Sequence, residues 1–185
     1  DPMATGVLVL GVNRATRLLG HLMLTEKGYD ATIRLGVATT THDEEGEVVS
    51  TAPTGEVDED AVRRTLAGFV GDIEQVPTAV SAIKVDGKRA YQRVRDGEQV
   101  ELKARPVTIH ELTVLAVRLG ADHVDVDVSL RCSSGTYVRA IARDAGRLLG
   151  VGGHLTALRR TAVGRFGLDT ARTLDVMRRL SELGV

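Results

Sequence analysis

Between Val124 and Cys132 the chain alternates without a break. Val124, Val126, Val128, Leu130 and Cys132 are apolar, and Asp125, Asp127, Ser129 and Arg131 separate them. A period of two with that contrast fits a β-strand with one dry face and one wet face, and it fits no helix. Tyr29 to Gly36 repeats the pattern, with Tyr29, Ala31, Ile33 and Leu35 opposed to Asp30, Thr32 and Arg34. Shorter signals predict strands at Val7–Leu10, Pro106–Val117 and Leu155–Phe166. Helical spacing intervenes. Asp58 is placed to cap a helix through Phe69, and Asn13 to cap one carrying Leu18, Leu19, Leu22 and Met23. Tyr137–Leu149 and Thr173–Leu183 also read as helices, and Gly150–Gly153 as a helix stop and turn. Strands and helices interspersed in this way predict an α+β fold on a mixed, partly antiparallel sheet. The 185 residues suggest one domain.

Composition removes several function classes. No run approaches eighteen apolar residues, so no membrane span is expected. The lone cysteine, Cys132, forms no internal disulfide, and a reducing cytoplasmic compartment is the simplest reading. Lys and Arg total 24 against 25 Asp and Glu, a net charge of −1, so any polyanion must be held by a local patch. With five aromatic residues and no tryptophan, the chain can stack one or two bases, not a long single strand.

The candidate sites are few. His42–Glu47 is acidic but lacks the calcium-loop frame, and it reads as a solvated loop in which Asp43 could serve an ion pair. The five histidines have no ligand spacing, so no metal site is expected. Cys132 falls on the apolar parity of its strand and reads as a buried, inert thiol. Two basic clusters stand out. One spans Lys84, Lys88, Arg89, Arg93 and Arg95 around an Asp86-Gly87 turn signal. It lies in an insertion-like segment read as a strand, a turn and a short helix. The other is Arg159-Arg160, with Arg165 and Arg172 downstream. Finally, Asp1–Gly6 and Cys132–Arg139 each fall where a strand meets a turn, the usual place for reactive groups.

D-P-M-A-T-G-V-L-V-L-G followed by N-R-A-T-R-L resembles the catalytic segment of TruB-type tRNA pseudouridine synthases. Five further motifs keep that family's order: K-G-Y-D-A-T-I-R-L-G at Lys27, T-T-T-H-D-E-E-G at Thr39, P-T-A-V-S-A-I-K-V-D-G-K-R-A-Y at Pro77, C-S-S-G-T-Y-V-R at Cys132 and H-L-T-A-L-R-R-T-A-V-G-R-F at His154. Each is weak alone, and six in order are specific. The resemblance implies a mixed, mainly antiparallel sheet flanked by helices across residues 1–185, with a tRNA-gripping thumb insertion at 76–106. It implies conversion of a uridine in the T-loop of tRNA (position 55) to pseudouridine, with no cofactor, no membrane, no obligatory protein partner and a monomeric enzyme.

The roles implied follow the motifs. Asp1 matches the nucleophilic aspartate, and Arg139 the arginine that keeps it ionised, a task suited to a permanently charged, bidentate guanidinium. Tyr29 matches the tyrosine that stacks on the target base. Tyr137 and Leu158 match the uracil pocket, and Asp43 an acidic residue near the cleft. Lys84, Lys88, Arg89, Arg159 and Arg160 are expected on the RNA backbone. The family's segment before the aspartate, with its G-H-T-G-like turn, and its C-terminal PUA-type domain have no counterpart here. The 185 residues alone are therefore expected to be weakly active or inactive. Two other readings use the same residues: a non-catalytic tRNA-binding or tRNA-folding module, and a guide-RNA-dependent synthase working inside a ribonucleoprotein.

Overall fold

A computed structural model describes residues 2–78, 84–85, 88–89 and 102–182; at 84–85, 88–89 and 180–182 only the backbone path is described. The two alternating segments form adjacent strands, β2 (Lys27–Leu35) and β9 (Val124–Cys132), paired antiparallel in continuous register from Lys27↔Cys132 to Leu35↔Val124. Matched parity puts Ala31, Ile33 and Leu35 on the same buried face as Val124, Val126, Val128, Leu130 and Cys132. The sheet extends from this pair through β10 (Gly153–Val163) on one side and β8 (Arg105–Leu119) and β5 (Gly71–Gln75) on the other. A two-residue strand β1 (Thr5–Gly6) lies parallel to β10, and β11 (Phe166–Gly167) pairs antiparallel with its far end, while β3 (Val37–Thr39) and β4 (Val48–Thr51) form a separate antiparallel pair. The sheet is thus mixed and mainly antiparallel.

Helix α2 (Glu59–Ala67) begins as the sequence predicts, with Asp58 accepting a hydrogen bond from the Ala61 N–H, and it buries Val62 and Leu66. Helix α3 (Val138–Leu148) buries Val138, Ile141, Ala142 and Ala145 against the sheet. It stops where Gly150 turns left-handed (φ 74°) and the Val151 and Gly152 N–H groups close onto the Gly146 carbonyl. Gly146 and Gly153 let α3 lie almost on β10, because a Cβ on either would overlap the other element's backbone. The wet face carries cross-strand pairs: Arg34 grips Asp125 at 2.8 Å, and Arg118 pairs with Asp127.

Four expectations need correction. Val7–Leu10 is not a strand: the pairing stops at Gly6 because β11 occupies the edge of β10 at Ala162 and Val163, and Leu8 and Leu10 stay exposed. Asn13 caps no α-helix. It sits at φ 51° at the start of a 3₁₀ turn, Asn13–Leu18, ahead of a five-residue helix α1 (Leu19–Met23) with no buried residue. The acidic loop is not simply solvated, since Asp43 is buried. Arg159-Arg160 is not one cluster, as shown below. Of the insertion, the described part is a pair of two-residue strands, β6 (Lys84–Val85) and β7 (Lys88–Arg89), matched antiparallel. Its expected helix and the side chains of Lys84, Lys88 and Arg89 lie outside the described residues, as does Asp1.

Candidate active site

Strand β10 organises the site through two bulges. Its register against β2 slips at Thr156 and again at Thr161. The first slip puts Leu155 and Leu158, three residues apart, on the same buried face, opposite Ile33 and Ala31. Regular alternation would have sent one of them to the wet side. Past the bulge the alternation resumes. Arg160 falls opposite Tyr29 on the core side, and Arg159 opposite Asp30 on the solvated side. The two arginines that look like one cluster therefore serve different faces.

Tyr29, Leu158 and Arg160 line a cavity of about 450 Å³ closed on its far side by Ala4–Leu8. Arg160 also secures that far wall. Its backbone carbonyl accepts from the Val7 N–H and its Nε donates to the Val7 carbonyl, both at 2.8 Å. Gly6 makes the approach possible: it sits at φ 95°, and a Cβ there would overlap the Arg160 carbonyl. The Tyr29 phenol is held above its usual pKa, chiefly by burial, with Cys132 adding to the rise and Arg160 opposing it. Cys132 is fully buried, and burial pushes its thiol upward, as an inert core cysteine requires.

Arg139, in the first turn of α3, is itself nearly buried, and its Nη1 donates to Asp43 Oδ2 at 3.1 Å and to the Thr41 carbonyl at 3.2 Å. The Asp43 carboxylate also accepts from Thr41 Oγ1 and, at 3.1 Å, from the Glu45 N–H. Thr39 Oγ1 donates to the Asp43 carbonyl at 2.7 Å, and Asp43 bridges Leu155 of β10. A buried carboxylate this well satisfied holds its guanidinium in one orientation. The turn before α3 is fixed locally. Ser133 Oγ accepts from the Thr108 N–H, and Thr136 Oγ1 donates to the Ser133 carbonyl. Tyr137 is held from outside. Gln75, itself buried, accepts from its N–H at 2.8 Å and donates to its carbonyl at 3.1 Å.

The described residues thus bring Tyr29, Leu158 and Arg160 around one cavity, and Arg139 and Asp43 into one ion pair. Sequence reasoning missed Gln75 and Thr39, which hold the Tyr137 and Asp43 backbone, and Thr41, which holds the Asp43 carboxylate and the Arg139 guanidinium. Only the Asp-x-Glu spacing, typical of a carboxylate that accepts the N–H two residues on, signalled any of this. Among the described residues no three His, Cys, Asp or Glu side chains gather as a metal site.

The family model for TruB family pseudouridylate synthase (N terminal domain) matches residues 1–138. The chain belongs to the TruB family. A second TruB model, the tRNA pseudouridylate synthase B C-terminal domain, matches 139–182, so the boundary between the two falls inside α3 and β10 belongs to the second segment. Among curated relatives, tRNA pseudouridine synthase B of Nocardia farcinica is 66% identical over 177 residues, covering 96% of this chain and 58% of the relative. The protein of the same name from Corynebacterium aurimucosum is 57% identical over 185 residues, covering all of this chain and 62% of the relative. The chain therefore spans about three-fifths of the length of these relatives. Among solved structures, one chain of a Cbf5-Nop10-Gar1 complex superposes with a TM-score of 0.70 at 27% identity, covering all of this chain and 46% of that one. The TruB motifs read in the sequence and this structural likeness agree on one fold.

Proposed function

We propose that this chain forms the catalytic core of an enzyme that isomerises uridine to pseudouridine in the T-loop of tRNA. The observation that carries the reading is the buried Arg139–Asp43 pair at the head of α3, in a TruB-family chain whose Tyr29 and Leu158 face a cavity walled by the segment that follows Asp1.

In this reading the target uridine leaves its stack, at a cost of a few kcal/mol, and enters the cavity. Tyr29 stacks on the base, and Tyr137 and Leu158 line its edge. The Asp1 carboxylate is the nucleophile and must be ionised, which Arg139 favours, with Asp43 fixing the guanidinium. The N1–C1′ bond breaks, the uracil turns, a C5–C1′ bond forms, and the C5 proton is lost while N1 gains one. Atoms and electrons balance within the substrate, so the chemistry itself calls for no cofactor. The raised phenol of Tyr29 favours stacking in the neutral form over service as a phenolate base. Lys84, Lys88, Arg89 and Arg159 contact the RNA backbone, and Arg160 holds the cavity wall. The enzyme acts as a monomer without a protein partner, in a reducing cytoplasm suited to its single free thiol.

The test is release of tritium from [5-³H]uridine in a T-arm RNA by the intact protein of which these 185 residues are the core. Turnover that falls by at least about 10³-fold in Asp1→Asn fits a nucleophile. RNA binding without any pseudouridine would make the protein a binding module. A requirement for guide RNA and added proteins would make it a synthase of the ribonucleoprotein type.

A further inference from the structure

A second cavity lies one helical turn beyond Arg139. It measures about 530 Å³ and is lined by Thr39, Thr40 and His42 of the acidic loop, by Arg143 and Arg147 of α3, and by the glycine turn that follows the helix. No carboxylate lines it, although acidic residues outnumber basic ones in the whole chain.

Its polar groups differ in kind. Arg143 is rigidly mounted. Nε and Nη2 grip Asp144 at 3.0 Å each, and Nη2 also donates to the Val76 carbonyl, where the insertion leaves the sheet. Arg147 is exposed, and its nearest carboxylate is the same Asp144 at 3.8 Å. One carboxylate thus faces two guanidinium groups, and a net positive charge is left beside the cavity. His42 Nδ1 is buried without a hydrogen-bond partner among the described residues. A buried polar atom left without a partner is costly, and a ligand in the cavity would satisfy it. The His42 ring is pushed down to about 4 by burial, then by Arg143 and Arg139, so at neutral pH it brings a hydrogen bond rather than a charge.

Two guanidinium groups, an imidazole and the Thr40 hydroxyl, whose proton is left free while its oxygen accepts from the Glu47 N–H, with no carboxylate in the lining, select an anion with several acceptor oxygens. We infer that this cavity seats a backbone phosphodiester of the RNA, separate from the uridine cavity. The inference rests on the functional reading above and deepens it. Arg143 and Arg147 lie about 6 and about 12 Å from Arg139 along the helix, at about 1.5 Å per residue. That places the phosphate within a few nucleotides of the reacting base. The Val76 contact places it at the root of the insertion, so the RNA strand runs from the uridine past the loop that carries Asp43. Because a phosphate contact carries no sequence information, this seat sets register rather than choosing the base.

The experiment uses the intact protein and an unmodified T-arm hairpin, comparing wild type with Arg147→Gln and Arg147→Glu. Arg147 is mostly exposed, so neither variant disturbs the core. Kd by fluorescence anisotropy, its salt dependence, KM and kcat are measured. The expected result is a rise of about tenfold in Kd and KM for Arg147→Gln, larger for Arg147→Glu. The slope of log Kd against log salt falls by about one, and kcat stays within about twofold. Unchanged Kd and slope in both variants would overturn the inference. So would a fall in kcat at constant Kd, which would tie Arg147 to the reacting atoms instead. If the wild type forms no pseudouridine, the functional reading fails, while Kd and its salt slope still decide whether the phosphate seat exists.

Discussion

The buried pair of Asp43 and Arg139 is where single residues matter most. Removing one member takes the ion-pair partner from a buried charge, which costs about 3–5 kcal/mol. Asp43→Ala should therefore lower the unfolding free energy measured by urea denaturation by that amount, and Asp43→Asn, which keeps the shape and one acceptor, should lose less stability. Both should lose turnover, since the guanidinium is no longer fixed; retention of wild-type kcat by Asp43→Ala would detach the pair from the chemistry. His42 gives a pH signature. It titrates at about 4 in the folded chain against 6.5 for an ordinary histidine. Below pH 6.5 the unfolded chain therefore takes up a proton that the folded chain refuses. The contribution is fully present above 6.5 and is lost as pH falls from 6.5 towards about 4. His42→Gln should flatten the acid limb of a stability–pH curve in that window, and an unchanged limb would assign the titration elsewhere.

Elements were legible wherever period and burial agreed. The alternation of Tyr29–Leu35 and Val124–Cys132 became the central strand pair because each has a continuous dry face, and Asp58 and Gly150 marked helix ends because their chemistry is local. The edge was not legible. Val7–Leu10 looks like a strand, and only the competing hairpin of β11 shows why it is not. The bulge at Thr156 was equally hidden, because parity read along β10 puts Leu155 and Leu158 on opposite faces. Arg159-Arg160 looked like one patch only because they are neighbours in the chain, although strand parity alone sends them to opposite faces, and the burial of Asp43 could not be read from an acidic loop. Gly6 tests the short strand β1. Gly6→Ala adds a methyl that meets the Arg160 carbonyl in a backbone conformation that L-residues rarely adopt. It should displace the cavity wall and cut turnover at least about tenfold while shifting the melting temperature by only a few degrees. Arg160→Met, which loses the Nε bond to Val7, should reproduce the kcat loss.

On the scale of the whole molecule, the chain separates a packed sheet from an apolar fringe. Leu8, Leu10, Val12, Leu18, Met23 and Leu24 are each more than half exposed. Because they bury little within this chain, replacing Leu10 and Met23 by Gln should change unfolding free energy by no more than about 0.5 kcal/mol each, whereas Ile33→Ala in the core should cost about 2–5 kcal/mol. A large loss from the surface pair would mean that the fringe is covered. Binding of RNA by a chain of net charge −1 depends on where its cations sit rather than on their number. Strand β10 has a consequence for how such a chain can diverge. Leu155 meets the Asp43 loop, Leu158 lines the cavity beside Tyr29, and Arg160 ties down the opposite wall, all within six positions of one strand. Loss of Arg159 would turn Arg160 to the wet face and release the wall it ties down, whereas loss of Thr156 would only straighten the bulge and keep every pairing. Length polymorphism among descendants of this sequence should therefore fall at Thr156 rather than at Arg159.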